Sequence, residues 1–330
     1  MTTRTPLRPL SVLKSHCRYY SARATSPHPA LVTLPFFLST SQHDLLLSHS
    51  LRLLDSPART TAAARKKRRE WVKAHPGWNA GRDGTGALGG GAARAARFLP
   101  DEATLWEEGH FDGVIKLYRE MLVREGQWGD EAREGTPLAA ALDKVYSLLP
   151  PPASSSGPPS PSSTSPRPSP PDHLILHLLH LSSRGSIAPH VDNLDAFGRT
   201  IAGVSLGGER VMRFKQVSDP GEDVAPALRE GPREFEVLLE AGSAYVQSEP
   251  LRTHYTHEVL ETATWDGRRV GGTQRLSLML RDEERFRKQF SSFLEDDISS
   301  EDIEDMYREA HEKIREDPSY TKTDKADLAS

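Results

Sequence analysis

The chain contains almost no cysteine and no long apolar run. Cys17 is the only cysteine among 330 residues, which excludes a disulfide framework and a cysteine metal site. The apolar stretches 30–38 and 173–181 are shorter than the roughly 18 residues that a membrane-spanning helix needs, so we expect no membrane span. The formal net charge is −4, so composition does not favour a protein that binds nucleic acid over its whole surface.

Acidic residues are absent before Asp44, whereas the same segment carries four arginines and one lysine. This composition is typical of a mitochondrial presequence, although a disordered tail with few acids would look similar. We therefore interpret residues 1–33 as a presequence and disordered start, and predict a location in the mitochondrial matrix.

Residues 34–150 are predicted to form an N-terminal helical portion. Ser39 and Gln42 have the spacing of a capping box that opens a helix ending near Leu54. Apolar residues recur at helical spacing over 110–124 and again over 138–149, so both segments are predicted to be amphipathic helices.

An Arg/Gly-rich insertion is predicted over residues 56–100. Its basic run 65–69 lies close to Trp71 and Trp78, a combination that could contact RNA. We interpret the segment instead as a solvated, poorly ordered insertion, because charge runs of this kind usually face solvent.

The second half of the chain differs from the first in composition and in apolar pattern. Residues 151–171 are almost wholly proline and serine and predict a linker or loop. Short apolar strands with glycine turns follow over 172–285, including predicted hairpins 199–217 and 234–247, which favour a sandwich, barrel or jelly roll. Residues 286–330 predict an acidic helix and tail, which either packs on the domain or binds a partner.

A possible metal site begins at His190 and Asp192. On a strand, residues two apart point to one side, so this pair forms two thirds of a facial triad that holds Fe(II). Either His254 or His257 could complete the set. The pattern is short enough to arise by chance, in which case His190 is a surface residue.

Two arginines support a site in the same domain. Arg275 and Arg281 are six residues apart, so both lie on one face of a strand, opposite its leucines. Buried arginines are costly unless they meet anions, and a dicarboxylate fits two such groups.

In this order of residues the chain resembles the AlkB branch of the Fe(II)/2-oxoglutarate-dependent dioxygenases. Several stretches are similar to its mitochondrial subgroup, typified by the seventh mammalian AlkB homologue. The resemblance implies an α+β fold with a double-stranded β-helix (jelly-roll) catalytic core and flanking N-terminal helices. The stretches that carry it are 187–192, 200–206, 211–213, 241–245 and 257–260.

The resemblance also implies roles for individual residues. His190, Asp192 and His257 would bind Fe(II), with 2-oxoglutarate and O2 as cosubstrates. Arg275 would bind the distal carboxylate of 2-oxoglutarate and Tyr245 would offer its hydroxyl group, unless it is a core aromatic. Arg281 would brace Asp192 or the keto-acid carboxylate, unless it forms a salt bridge at the strand end.

Three functions follow from this resemblance. The favoured one is a mitochondrial dioxygenase that hydroxylates a C–H bond of an unidentified substrate, most simply a protein, with a role in fatty-acid metabolism or regulated necrotic cell death. A mitochondrial RNA N-demethylase is less favoured, because the region before the iron-binding strand is predicted to be helix and then Pro/Ser linker, with no evident aromatic pair. The third is a metal-binding interaction module without turnover, which the complete ligand set disfavours. The oligomeric state is not predicted.

Overall fold

The computed structural model describes residues 26–76, 98–149, 170–171, 173–192, 200–217 and 231–282. Within these residues, twelve strands and four α-helices follow one another along the chain. The helices are α1 (Thr40–Leu54), α2 (Ala62–Ala74), α3 (Pro137–Tyr146) and α4 (Leu251–His254). The strands are β1 (Leu31–Leu34), β2 (Glu107–Gly109), β3 (Ile115–Val123), β4 (Leu174–His190), β5 (Thr200–Gly207), β6 (Arg210–Gln216), β7 (Glu234–Leu239), β8 (Ala244–Ser248), β9 (Tyr255–Val259), β10 (Thr262–Trp265), β11 (Arg268–Gly271) and β12 (Arg275–Asp282).

Ten strands form one antiparallel sheet in the order β1-β8-β5-β12-β4-β9-β6-β7, with β3 and β2 branching from β4. The 17-residue strand β4 connects the two parts of this sheet. Its first half pairs with β12 and β3, and its last residues pair with β9. The strands therefore curl into two facing layers, and the predicted α+β class with a jelly-roll core is confirmed.

The two faces of β12 separate two apolar cores. Leu276, Leu278 and Leu280 are fully buried in the outer core, which α1 and α3 cover. Arg275 and Arg281 alternate with these leucines, as the sequence predicts for one strand. Between the layers lies an inner core, which includes Leu179, Phe214, Tyr245, Tyr255 and Met279. The functional side chains share this interior.

The predicted capping box and two predicted helices are confirmed. Ser39 Oγ accepts a hydrogen bond from the Gln42 amide at 3.2 Å, and Gln42 Oε1 accepts one from the Ser39 amide at 3.1 Å. This reciprocal pair satisfies two amides at the start of α1. Helix α3 corresponds to the predicted helix over 138–149 and begins after its own cap, Thr136.

The prediction of a helix over residues 110–124 is wrong. This segment is the turn between β2 and β3 followed by β3 itself, which pairs with β4 from Tyr118 to Val123. Met121 and Val123 face the outer core while Tyr118 faces the inner one. Because both faces are covered, the strand lacks the alternation that marks a half-exposed strand, and its apolar spacing imitates a helix.

The two predicted hairpins consist of correctly predicted strands with wrong partners. β5 pairs with β8 and β12, whereas β6 pairs with β7 and β9. β8 likewise pairs with β1 and β5 and not with β7. Each glycine turn therefore carries the chain from one layer of the jelly roll to the other, a choice that local turn chemistry does not specify.

The basic run 65–69 lies on α2, which has no buried residue and is capped by Thr61. It is solvated, as expected, but it is helical and not irregular. None of the helices in the described ranges has the length and apolarity needed to cross a membrane. The predictions for residues 1–25, Trp78, the glycine-rich part of the insertion, the Pro/Ser stretch 151–169 and the acidic tail lie outside the described residues.

Candidate metal centre and cosubstrate pocket

The end of β4 and the middle of β9 bring two histidines together. His190 and His257 are direct neighbours in the antiparallel register, and their ring centroids are 4.2 Å apart. Asp192 follows β4 by two residues, so its carboxylate returns to the same point. Strand pairing between distant segments, and not local sequence, assembles this group.

His190, Asp192 and His257 each offer a ligand atom, and these atoms lie within 4.8 Å of one another. Asp192 Oδ1 is 3.7 Å from His190 Nε2, and Asp192 Oδ2 is 3.6 Å from His257 Nε2. Two imidazoles and one carboxylate on one side of a site are the donors that non-haem Fe(II) prefers. The residues therefore fit the iron centre that the resemblance implies.

Hydrogen bonds orient two of these groups. His190 Nδ1 lies 2.9 Å from the carbonyl oxygen of Ala188, so this nitrogen carries the proton and leaves Nε2 for a metal. Gln247 Nε2 donates to Asp192 Oδ2 at 3.4 Å. Gln247 was not predicted, although it lies two residues after Tyr245 on β8, and period-two alternation would have placed both on one face.

Burial and charge interactions hold Asp192 and His257 in the states that a cation needs. Burial alone would raise the pKa of Asp192, but His257, His190 and Arg281 hold this pKa well below its usual range. Burial and the neighbouring His190 lower the pKa of His257 to about 3, so its imidazole is neutral. For His190, burial lowers the pKa but Asp192 outweighs it and raises the value.

Arg275 lies deep in the same interior. Its side chain is almost fully buried, and its Nε donates to Ser205 Oγ at 2.9 Å. Tyr245 is buried close by, and burial raises the pKa of its hydroxyl group. Within the described residues, no carboxylate is bonded to Arg275. The buried guanidinium of Arg275 and the hydroxyl group of Tyr245 therefore form a pocket suited to an anion.

Arg281 lies towards the metal end of β12. Its charge helps to lower the pKa values of both Asp192 and Glu120. The role of Arg281 as a brace for Asp192 or the keto-acid carboxylate stays a prediction. The candidate His254 lies in α4, on the turn before β9, and is not part of the cluster.

A second polar group lies beside the metal centre and was not predicted. His177 Nε2 is 3.0 Å from Glu120 Oε2, and His110 Nδ1 is 2.8 Å from Asp112 Oδ1. The turn that carries His110 and Asp112 contacts β4 through a hydrogen bond from the Ala188 amide to the Val114 carbonyl. His110, Asp112 and Glu120 were not predicted because the segment 110–124 was interpreted as a helix, whereas His177 lies on β4, which was correctly predicted as a strand.

Residues 123–281 match the model of the 2OG-Fe(II) oxygenase superfamily. Together with the jelly roll and the His-Asp-His group, this match shows that the chain contains a 2OG-Fe(II) oxygenase domain. A 2OG-Fe(II) oxygenase domain implies Fe(II) as the cofactor, with 2-oxoglutarate and O2 as cosubstrates, as predicted.

The relatives lie in the AlkB group. The chain is 30% identical over 178 residues to the bovine (Bos taurus) "Alpha-ketoglutarate-dependent dioxygenase alkB homolog 7, mitochondrial", covering 53% of this chain and 65% of that protein. The mouse (Mus musculus) protein of the same name is 29% identical over 180 residues, with the same coverage. The chain thus spans 65% of the length of these relatives, and the predicted resemblance is confirmed.

The end of the chain is similar to a different family. Residues 303–329 match the model of the ribosomal L18 C-terminal region. Over 37 residues the chain is 54% identical to "Large ribosomal subunit protein uL18" of Neurospora crassa, covering 11% of this chain and 12% of that protein. This segment lies outside the described residues and outside the oxygenase match.

Proposed function

We propose that the chain is a mitochondrial Fe(II)/2-oxoglutarate-dependent dioxygenase that hydroxylates a C–H bond. The observation that carries this proposal is the convergence of His190, Asp192 and His257 in the interior that also holds Arg275. The chemistry that bound iron supplies is activation of O2, coupled to oxidative decarboxylation of 2-oxoglutarate to succinate and CO2. The protein supplies binding, orientation and a dry pocket.

Each residue has a defined part in this proposal. His190 presents Nε2 because its Nδ1 proton is held by the Ala188 carbonyl. Asp192 stays ionised and is held in place by Gln247. Arg275 binds the distal carboxylate of 2-oxoglutarate, with Tyr245 donating to the same cosubstrate. Arg281 neutralises charge between Asp192 and the cosubstrate.

We propose a location in the mitochondrial matrix. The acid-free start of the chain supports a mitochondrial location, and so do the names of the two relatives, which give the mitochondrion without a compartment. For the substrate, the favoured proposal is a protein, with a role in fatty-acid metabolism or regulated necrotic cell death. This part rests on the resemblance to the mitochondrial subgroup alone.

RNA N-demethylation is a second candidate, and one observation favours it. The region before the iron-binding strand was predicted to be helix and then Pro/Ser linker with no evident aromatic pair, but residues 115–123 of that region form strand β3. In the structure, Phe111 lies at the β2–β3 turn near the metal centre, is 48% exposed and contacts the ring of His110. An exposed aromatic in this place could stack on a base.

Succinate formation tests the proposal. Purified wild-type protein with Fe(II) and 2-oxoglutarate is incubated with mitochondrial protein or with N-methylated single-stranded RNA, and Asp192→Ala provides the background. We expect substrate-dependent succinate from wild type alone, and mass spectrometry of proteins retained by Asp192→Ala identifies a protein substrate. Equal succinate from wild type and Asp192→Ala in both arms would contradict the dioxygenase proposal.

The variant Phe111→Ala distinguishes a protein substrate from an RNA substrate. If RNA is the substrate, this variant loses RNA-dependent succinate but keeps the affinity for 2-oxoglutarate. Stimulation by mitochondrial protein, with no response to RNA, leaves only the protein substrate.

A further inference from the structure

Arg210 is a buried cation that the proposed mechanism does not use. It opens β6, has no exposed surface and is the largest fully buried side chain in the described residues. Its Nη2 donates to the carbonyl oxygens of Ser182 and Ser183, at 2.9 and 3.1 Å. Its Nε and Nη1 have no hydrogen-bond partner within the described part of the chain, and neither does the buried Ser182 Oγ.

The contacts of Arg210 place its guanidinium close to that of Arg275. Ser182, which accepts from Arg210, directly follows Leu181, and Leu181 is the register partner of Arg275 on β4. The two arginines therefore approach the same step of β4, one from each layer of the jelly roll.

The pairing of β6 with β7 also places Arg210 close to Arg275. Leu239 is the register partner of Arg210 on β7, and its carbonyl oxygen lies 3.5 Å from Ser205 Oγ. This same hydroxyl group accepts the hydrogen bond from Arg275 Nε. Both layers thus meet at Ser205, with a buried arginine on either side.

Arg210 and Arg275 are two buried cations, and no carboxylate among the described residues forms an ion pair with either of them. Burial and the charge of Arg275 lower the pKa of Arg210 to about 10, and burial lowers the pKa of Arg275 to a similar value. Asp101 and Glu261 attract Arg210, but the hydrogen bonds of Asp101 go to Ser183. Two like charges in a dry interior are costly unless an anion joins them.

We propose that Arg210 is the second guanidinium of the pocket that receives the distal carboxylate of 2-oxoglutarate. This inference rests on the proposed function, in which Arg275 is the first. A carboxylate between two buried arginines gains charge-assisted hydrogen bonds from both and offsets their repulsion. Arg210 would thereby favour oxo acids with a second carboxylate over those without one.

The competing role of Arg210 is structural. Between Leu181 and Ser186 the pairing of β4 with β3 is interrupted, and Arg210 satisfies two carbonyl groups in that interruption. A residue that only supports this irregular backbone would affect every ligand alike. A residue that binds the distal carboxylate would affect only ligands that carry one.

A matched pair of ligands separates these roles. Dissociation constants are measured by calorimetry on Mn(II)-loaded protein for 2-oxoglutarate and for 2-oxopentanoate, which has the same carbon chain but no distal carboxylate. We expect Arg210→Met to raise the dissociation constant of 2-oxoglutarate at least about tenfold, which corresponds to about 1.4 kcal/mol. The dissociation constant of 2-oxopentanoate should change less than about twofold. Arg210→Lys should recover part of the loss, because it keeps the charge.

Arg119→Met is the control, because Arg119 is a largely buried arginine bound to Asp55 at 2.6 Å, on the opposite face of the sheet. It should leave both dissociation constants unchanged. If Arg210→Met weakens both ligands equally, or neither, the inference is overturned. If it does not fold, Arg210→Lys decides by the same ratio. If wild-type protein binds 2-oxoglutarate no more tightly than 2-oxopentanoate, the assignment of Arg275 is overturned as well. If this preference is lost in Arg275→Met but kept in Arg210→Met, only the role of Arg210 is overturned.

Discussion

The ring of Tyr245 fills the space that a side chain at position 203 would occupy. A Cβ atom at Gly203 would lie 2.4 Å from Tyr245 Cε1 and 2.7 Å from its hydroxyl oxygen. These two residues are register partners on β5 and β8, so the contact is built into the sheet. Glycine at this position therefore leaves room for the ring and hydroxyl group of Tyr245, which we propose binds the cosubstrate.

Gly203→Ala should displace the Tyr245 ring and weaken 2-oxoglutarate binding. The rearrangement should also lower the free energy of unfolding by about 1–3 kcal/mol, the usual cost of overpacking. Calorimetry and chemical denaturation measure the two effects. Gly109→Ala is the control, because a Cβ there meets only the Ile115 carbonyl oxygen at 3.9 Å. Equal behaviour of the two variants would contradict this account of Tyr245.

At the scale of elements, α1 couples its cap to the outer core. Leu46 and Leu47 of α1 have no exposed surface, so fraying of this helix would expose core residues. Helix α2 has an N-cap of the same type at Thr61 but buries no residue. The two helices therefore test whether a cap matters more when the helix is packed.

Ser39→Ala should lower the free energy of unfolding by about 1 kcal/mol, because the capping box loses its hydroxyl acceptor. Thr61→Ala should have a smaller effect on global unfolding, since α2 can fray without opening the core. Urea denaturation midpoints measure both changes. An equal loss in the two variants, or none for Ser39→Ala, would show that α1 does not couple its cap to the core.

The sequence predicts elements with a local signature and misses arrangements that long-range pairing creates. The cap of α1, helix α3 and the strands around the glycine turns follow from local chemistry. β3 was missed because both of its faces carry buried side chains, which blurs the alternation of a half-exposed strand. The partners of β5 and β8 depend on the crossing between layers.

The same division holds for the site. His190, Asp192, Arg275 and Arg281 show regular strand spacing, so the sequence places them together. Arg210 shows no such spacing, and its burial depends on carbonyl groups 28 and 27 residues away along the chain. The choice of His257 over His254 needed the resemblance and is supported by the pairing of β9 with β4.

For the whole molecule, buried neutral histidines control stability in mild acid. Burial and the nearby Arg119 hold the pKa of His180 well below its usual value, and burial and His190 lower that of His257 to about 3. The unfolded chain binds protons at these positions below pH 6.5 while the folded chain does not. Stability is therefore lost as the pH falls below 6.5.

We expect the free energy of unfolding of the metal-free protein to fall between pH 6.5 and pH 4.5, by up to about 1.4 kcal/mol per pH unit for each such histidine. His190 affects stability above this pH range, because its pKa is raised in the folded protein. The stabilisation from its protonated form is lost as the pH rises through that pKa. Denaturation curves across this range measure the slope. His180→Gln should reduce it, and a slope that is unchanged would rule out His180 as a source.

The proposed function depends on the binding of iron by His190, Asp192 and His257. Anaerobic equilibrium dialysis against Fe(II) at pH 7 tests it directly in wild type, His257→Ala and His254→Ala. Wild type and His254→Ala should bind one Fe(II) per chain, and His257→Ala should lose at least about 100-fold in affinity, because loss of a ligand costs no less than loss of its supporting hydrogen bonds. Unchanged binding in His257→Ala, or a comparable loss in His254→Ala, would contradict the assignment.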